Sequence, residues 1–99
     1  MYNIKLKEWN RYMDAISGEA ISILSTFDGD IQVDGQTFHD LDDPNKIVAN
    51  AWVNVYDHIG HEFTTIHFDP IRWNELPHLE DKIIPRVKDV IRQWINDNI

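Results

Sequence analysis

Residues 46–68 read KIVANAWVNVYDHIGHEFTTIHF, and the fold turns on whether their first half coils or extends. As a helix the segment has a good start, with Asp42 or Asp43 as N-cap and Pro44 in the first turn. A helical wheel then gathers Lys46, Asn50, Asn54, Asp57 and His58 on one face. As a strand, Ile47, Ala49, Ala51, Val53 and Val55 all point one way. Pairing separates the two. With a turn at His58–His61, Val55 lies opposite Thr64, Val53 opposite Ile66, Ala51 opposite Phe68 and Tyr56 opposite Phe63. Such cross-strand pairs each contribute about 0.2–1 kcal/mol. The strand reading is preferred for the second half of the segment, while residues 44–57 as a whole stay open between helix and strand.

Upstream, residues 5–16 read as a helix, because Leu6, Trp9, Met13 and Ile16 recur at three- and four-residue intervals and Ser17-Gly18 supplies a stop. The following AISILSTF is rich in β-branched residues and ends at Asp28-Gly29, a two-residue hairpin signal. That turn sets Thr26 against Ile31 and Leu24 against Val33. A second Asp-Gly, at 34–35, would fold IQV back onto QTF. Downstream, residues 69–84 read as a connector carrying Pro70 and Pro77. PRVKDVIRQWIND is the clearest helix, with Val87, Val90, Ile91, Trp94 and Ile95 in one apolar stripe and Pro85 at its first position. The expected architecture is α+β: an N-terminal helix, an antiparallel meander of about four to five strands, and a C-terminal helix packed on the sheet. Residues 1–99 are read as a single domain, since chains of this size rarely divide their core.

A hydrophobic fraction of 42% supports a packed core, and no apolar run reaches the roughly 18–20 residues of a membrane span. The first residues mix charge into apolar positions, unlike a secretory signal, and the chain has no cysteine. A cytoplasmic protein without membrane attachment is the expectation. Charge is the more telling property. The net value is −8, and between Tyr12 and Ile71 eleven acids face one base, Lys46. Such a middle repels phosphate, because nucleic-acid affinity comes largely from Lys and Arg displacing counterions, so direct binding of nucleic acid is not expected.

Three histidines and three acids crowd DHIGHEFTTIHFD at 57–69. Zinc requires ligands about 2.0–2.3 Å from one point, whereas six extended residues hold His61 and His67 roughly 20 Å apart. His58 and His61 could meet only across a solvent-open turn, and D-H-x-x-H-E is not the H-E-x-x-H of a helical zinc site. Exposed turn residues are the favoured reading. DGDIQVDGQTFH alternates acids at 28, 30 and 34 as a calcium loop would, but Val33 stands where glycine is needed and His39 where the closing glutamate belongs. No metal and no cofactor is expected. No nucleophile elbow or glycine-rich phosphate loop is present, and the chain is read as a non-enzyme.

Acids combined with exposable aromatics suit docking on a basic surface, since charge steers encounter and buried aromatics hold the complex. The expected partner is a basic protein: a nuclease, a nucleic-acid-binding enzyme or a toxin, blocked or regulated as an immunity protein or nucleic-acid mimic would do it. The expected contact residues are Asp28, Asp30, Asp34, Asp40, Asp42 and Asp43, with Trp52, Tyr56 and Trp73 as anchors, whereas Trp9 and Trp94 are assigned to the core. Two rivals stand beside this: an oligomeric module, such as a homodimer paired through an open sheet edge, and a metal-assisted hydrolase using His58 and His61.

Overall fold

The 46–68 segment extends. In the computed structural model, which describes residues 2–99, β2 (Ile47–Asp57) is the central strand of an antiparallel sheet. On one side it pairs along the full length of β1 (Gly29–Thr37). On the other it pairs with β3 (Glu62–His67) and then, further along, with the two-residue β4 (Ile71–Arg72). Ala49, Ala51, Val53 and Val55 are essentially fully buried, whereas Asn50, Trp52, Asn54 and Tyr56 between them are only half-buried. Two-residue periodicity wins over the helical wheel because strands on both sides supply partners for it. Val53 meets Ile66, Val55 meets Thr64, and the Phe68 N–H donates to the Ala51 carbonyl at 3.3 Å, as the pairing argument requires.

One expected pair is corrected. A bulge between Val55 and Tyr56 shifts the register, so Tyr56 faces Glu62 instead of Phe63. A bulge turns a side chain that would otherwise alternate. Phe63 packs instead against Phe27 and Trp94, at ring separations of 5.0 and 6.3 Å. The hairpin tip is built by Asp57, whose Oδ1 accepts the Ile59 and His61 amides at 3.1 and 2.8 Å, while Gly60 supplies a positive φ of 84°.

The N-terminal half departs further from expectation. Helix α1 runs over Leu6–Leu24, straight through Ser17-Gly18, and the strand expected at 20–27 does not form. Its buried stripe is Tyr12, Ile16, Ala20 and Ile23, which continues at three- and four-residue steps past the supposed stop. Gly18 lies on the solvent side, where an interior glycine costs about 1 kcal/mol against alanine. Burying Ile23 alone returns about 1.5–3 kcal/mol, so tertiary packing overrides both the glycine and the β-branched composition. The second expected turn, at Asp34-Gly35, is likewise absent, because β1 is continuous. Gly35 serves helix packing: a Cβ there would stand 2.6 Å from the Trp9 ring of α1.

After β4 the chain coils without a break. A 3₁₀ segment (Trp73–His78) and a π segment (Leu79–Ile83) lead into α2 (Ile84–Asn98), so the expected connector is largely helical. Ile84, Val87 and Ile91 of α2 join Tyr12, Ile16 and Ile23 of α1 and the buried side of β2 in one core, and α2 lies along α1. Within that core burial, and secondarily the Asp69 carboxylate, push the Tyr12 phenol above its ordinary pKa. None of the described helices is long and apolar enough to cross a membrane. Both helices therefore belong to one face of the sheet; on the other, no helix covers Trp52, Asn54 and Tyr56, whereas Val48, at the β1–β2 loop end, is fully buried.

Candidate functional site: the open face of the sheet

The bare face follows directly from strand parity. Paired residues of an antiparallel sheet project to the same side, so the register of the three strands lays the face out in rows. Asp30, Tyr56 and Glu62 form one row; Gln32, Asn54 and Thr65 the next; Asp34, Trp52 and His67 the third; Gln36 and Asn50 the last. Asp30, Gln32, Asp34 and Gln36 are all exposed, and Trp52 and Tyr56 are half-exposed beside them.

Side-chain hydrogen bonds tie the rows together. The Tyr56 hydroxyl donates to Gln32 Oε1 at 3.1 Å. The Thr65 hydroxyl stands 2.9 Å from both Asn54 Oδ1 and Glu62 Oε1, able to donate to either. These bonds hold Tyr56 and Asn54 in place, while Asp30 Oδ1 and Asp34 Oδ1 each accept the next backbone amide at 2.8 Å. At the end of the face Asn50 Oδ1 is buried and has no hydrogen-bond partner among the described residues.

Electrostatically the face is one-signed. The β1, β2 and β3 segments contain no Lys or Arg. Ion pairs sit elsewhere: Arg11–Glu80 at 2.7 Å, Lys88–Glu19 and Arg86–Asp69 at 3.7 Å, and Lys46–Asp42 at 3.0 Å. Asp30, Asp34 and Glu62 have no ion-pair partner among the described residues. Their charge is therefore uncompensated locally.

The expected contact residues divide. Asp30, Asp34, Trp52 and Tyr56 come together on this face. Asp28 stands just before β1, at the Tyr56 end. Asp40, at a positive φ of 60°, lies with Asp42 and Asp43 in the β1–β2 loop at the other end. There Asp43 accepts the Asn45 amide at 2.8 Å, and a hydrogen bond from Lys46 draws the Asp42 carboxyl below the usual range. Trp73 lies apart from Trp52 and Tyr56, just after β4: it packs edge-on against Tyr2, 4.5 Å between ring centres, at the margin of the core. The sequence reading missed Gln32, Gln36, Asn54, Glu62 and His67. For Gln32 and Gln36 the signal was the parity of β2 carried across to β1, which the second Asp-Gly concealed; for Asn54 and His67 it was the parity of the β2–β3 hairpin, and Glu62 joins the face only through the bulge.

His58 and His61 are exposed at the hairpin tip, and among the described residues no three His, Asp or Glu side chains come together as a metal cluster. Concavities of about 370 and 380 Å³ are open dents, one between Lys5, Lys7, Arg11 and Glu80, the other along Leu24–Gly29.

What the face can do chemically is set by its two carboxylate–aromatic pairs. Asp34 stands directly across from Trp52, and Asp30 across from Tyr56. A carboxylate accepts both N–H groups of a guanidinium, and the adjacent ring offers its π face to the same cation. The two pairs are about 13 Å apart along the strands, far enough to take two separate cations. Comparison with protein-family models, with curated proteins and with solved structures finds no match for this chain.

Proposed function

We propose that this chain is a small binding protein that docks on a basic partner protein through the open sheet face, and thereby blocks or regulates it. The partner class is a nuclease, another nucleic-acid-binding enzyme or a basic toxin, with the chain acting as an immunity protein or nucleic-acid mimic. The observation that carries this reading is the pair of carboxylate–aromatic couples, Asp30–Tyr56 and Asp34–Trp52, on a face whose three strands hold no Lys or Arg.

Size also bears on the reading. A three-stranded face about 30 Å long and 14 Å wide offers roughly 400 Å², about half of what one side of a stable interface buries. The loops at the two ends, carrying Asp28 and Asp40, would extend it. Carboxylates of this kind raise association rates, an effect that salt screens over about 10 Å at 0.1 M.

The test is capture from a cell extract with wild-type chain and with the double reversal Asp30→Lys/Asp34→Lys. The expected result is retention of a basic protein that weakens at high salt and is lost with the reversal. Retention that survives both treatments would remove the electrostatic premise.

A further inference from the structure

The outer edge of β1 is open. This strand pairs only with β2, and no strand covers its other side among the described residues. The register says which backbone groups face outward. Phe38 N–H donates to the Val48 carbonyl at 2.9 Å, so the even-numbered positions of β1 hydrogen-bond to β2. Residues alternate along such a ladder, and Ile31, Val33 and Gly35 therefore direct N–H and C=O outward. Proteins usually blunt such an edge with Lys, Pro, a bulge or a covering segment. The nine residues of β1 have no Lys and no Pro, and their ladder to β2 has no bulge.

Two aspartates do the blunting instead. Asp30 Oδ1 accepts the Ile31 amide and Asp34 Oδ1 the Gly35 amide, each at 2.8 Å. Two of the outward N–H groups, those of Ile31 and Gly35, are thus held by carboxylates from the open face. A second copy of this chain brings no cation on its own β1 to draw those carboxylates away. An antiparallel copy centred on Gln32 would also set Asp30 against Asp34, and like charges directly opposite are unfavourable. A basic strand has neither handicap.

We propose that the edge of β1 receives an extended basic segment of the partner as an added strand. This rests on the basic-partner reading above and specifies how the partner engages. Lys or Arg at two positions four residues apart would stand opposite Asp30 and Asp34, at non-hydrogen-bonded sites where side chains lie closest. Their charge draws the carboxylates off the Ile31 and Gly35 amides, which then pair with the incoming backbone. Alternate positions of the incoming strand, turned to the helix side, cover the half-buried Ile31 and Val33. Main-chain bonds supply affinity and the alternating pockets supply selectivity, as in other strand additions.

The experiment titrates the isotope-labelled full-length chain with a peptide as long as β1, alternating threonine and valine, with arginine at its third and seventh residues. A glutamate version of the peptide is the control. The expected result is at least tenfold slower hydrogen exchange at the Ile31, Val33 and Gly35 amides at saturation, and at least tenfold weaker binding of the glutamate peptide. Val33→Pro removes an outward N–H and no β1–β2 bond, and it is expected to weaken the arginine peptide more than tenfold. Should that variant not fold, Asp30→Lys/Asp34→Lys is expected to abolish the preference for arginine. Binding that leaves the three edge amides unprotected overturns strand addition while the basic-partner reading stands. So does failure of the peptide to bind a chain that still captures its basic partner. Capture of no basic partner overturns the underlying reading. A peptide-independent dimer that protects the same amides assigns the edge to a second copy and likewise overturns the proposal.

Discussion

At the scale of single residues, two glycines with the same local signal do opposite work. Gly35 follows an aspartate and invites a turn reading, yet it lies mid-strand where a Cβ would meet the Trp9 ring at 2.6 Å and the Asn50 carbonyl at 2.8 Å. Gly18 also looks like punctuation, yet it lies inside α1, and a methyl group added there would meet nothing within 4 Å. Gly35→Ala forces either the indole or the strand to move, and overpacking of that kind costs about 1–3 kcal/mol. Gly18→Ala adds helix propensity in open space and is expected to stabilise by about 0.5–1 kcal/mol. Urea unfolding of the two variants checks both signs at once. A neutral Gly35→Ala would mean that Trp9 does not press on the sheet as described.

At the scale of elements, the hairpin of β2 and β3 was legible and the N-terminal half was not, for a physical reason. Val53–Ile66 and Val55–Thr64 follow from alternation plus a four-residue turn, and both signals are local. The course of α1 depends on what Ala20 and Ile23 touch. Their neighbours are distant in the chain, so local composition, β-branched and glycine-bearing, pointed the wrong way. The same blindness hid half the candidate face. Asp30, Asp34, Trp52 and Tyr56 were identified by residue type, but the rows joining them needed an unbroken β1. Within the hairpin, one side chain organises the tip: Asp57 accepts the amides of Ile59 and His61. Asp57→Ala leaves both donors without that acceptor and is expected to destabilise by about 1–2 kcal/mol, close to the loss of a helix cap. Asp57→Asn keeps one carbonyl acceptor and should recover part of the loss. Equal stability of all three chains in thermal unfolding would show that water satisfies those amides just as well.

At the scale of the whole molecule, the division of labour runs through the plane of the sheet. Both α-helices lie on one side, and the positive groups of the ion pairs go with the helices and the β1–β2 loop. The bare side keeps carboxylates that no described Lys or Arg pairs. Neighbouring residues of β2 therefore belong to different physics. Val53 is fully buried among the helices, and Trp52, one step earlier, is half-exposed beside Asp34. Val53→Ala opens a cavity in the core and is expected to cost about 1–3 kcal/mol of stability while leaving the face intact. Trp52→Ala removes no buried helix contact, so its expected cost to stability is below about 1 kcal/mol, as for surface positions. Its cost to partner binding is expected to exceed about tenfold, because truncating a central aromatic anchor typically costs about 2 kcal/mol or more. The two variants form a crossed pair, measured by thermal unfolding and by binding of the captured partner. If Trp52→Ala unfolds as readily as Val53→Ala and binds as wild type once folded, the indole holds up the sheet, and the carboxylate beside it has lost its reason to recognise a cation.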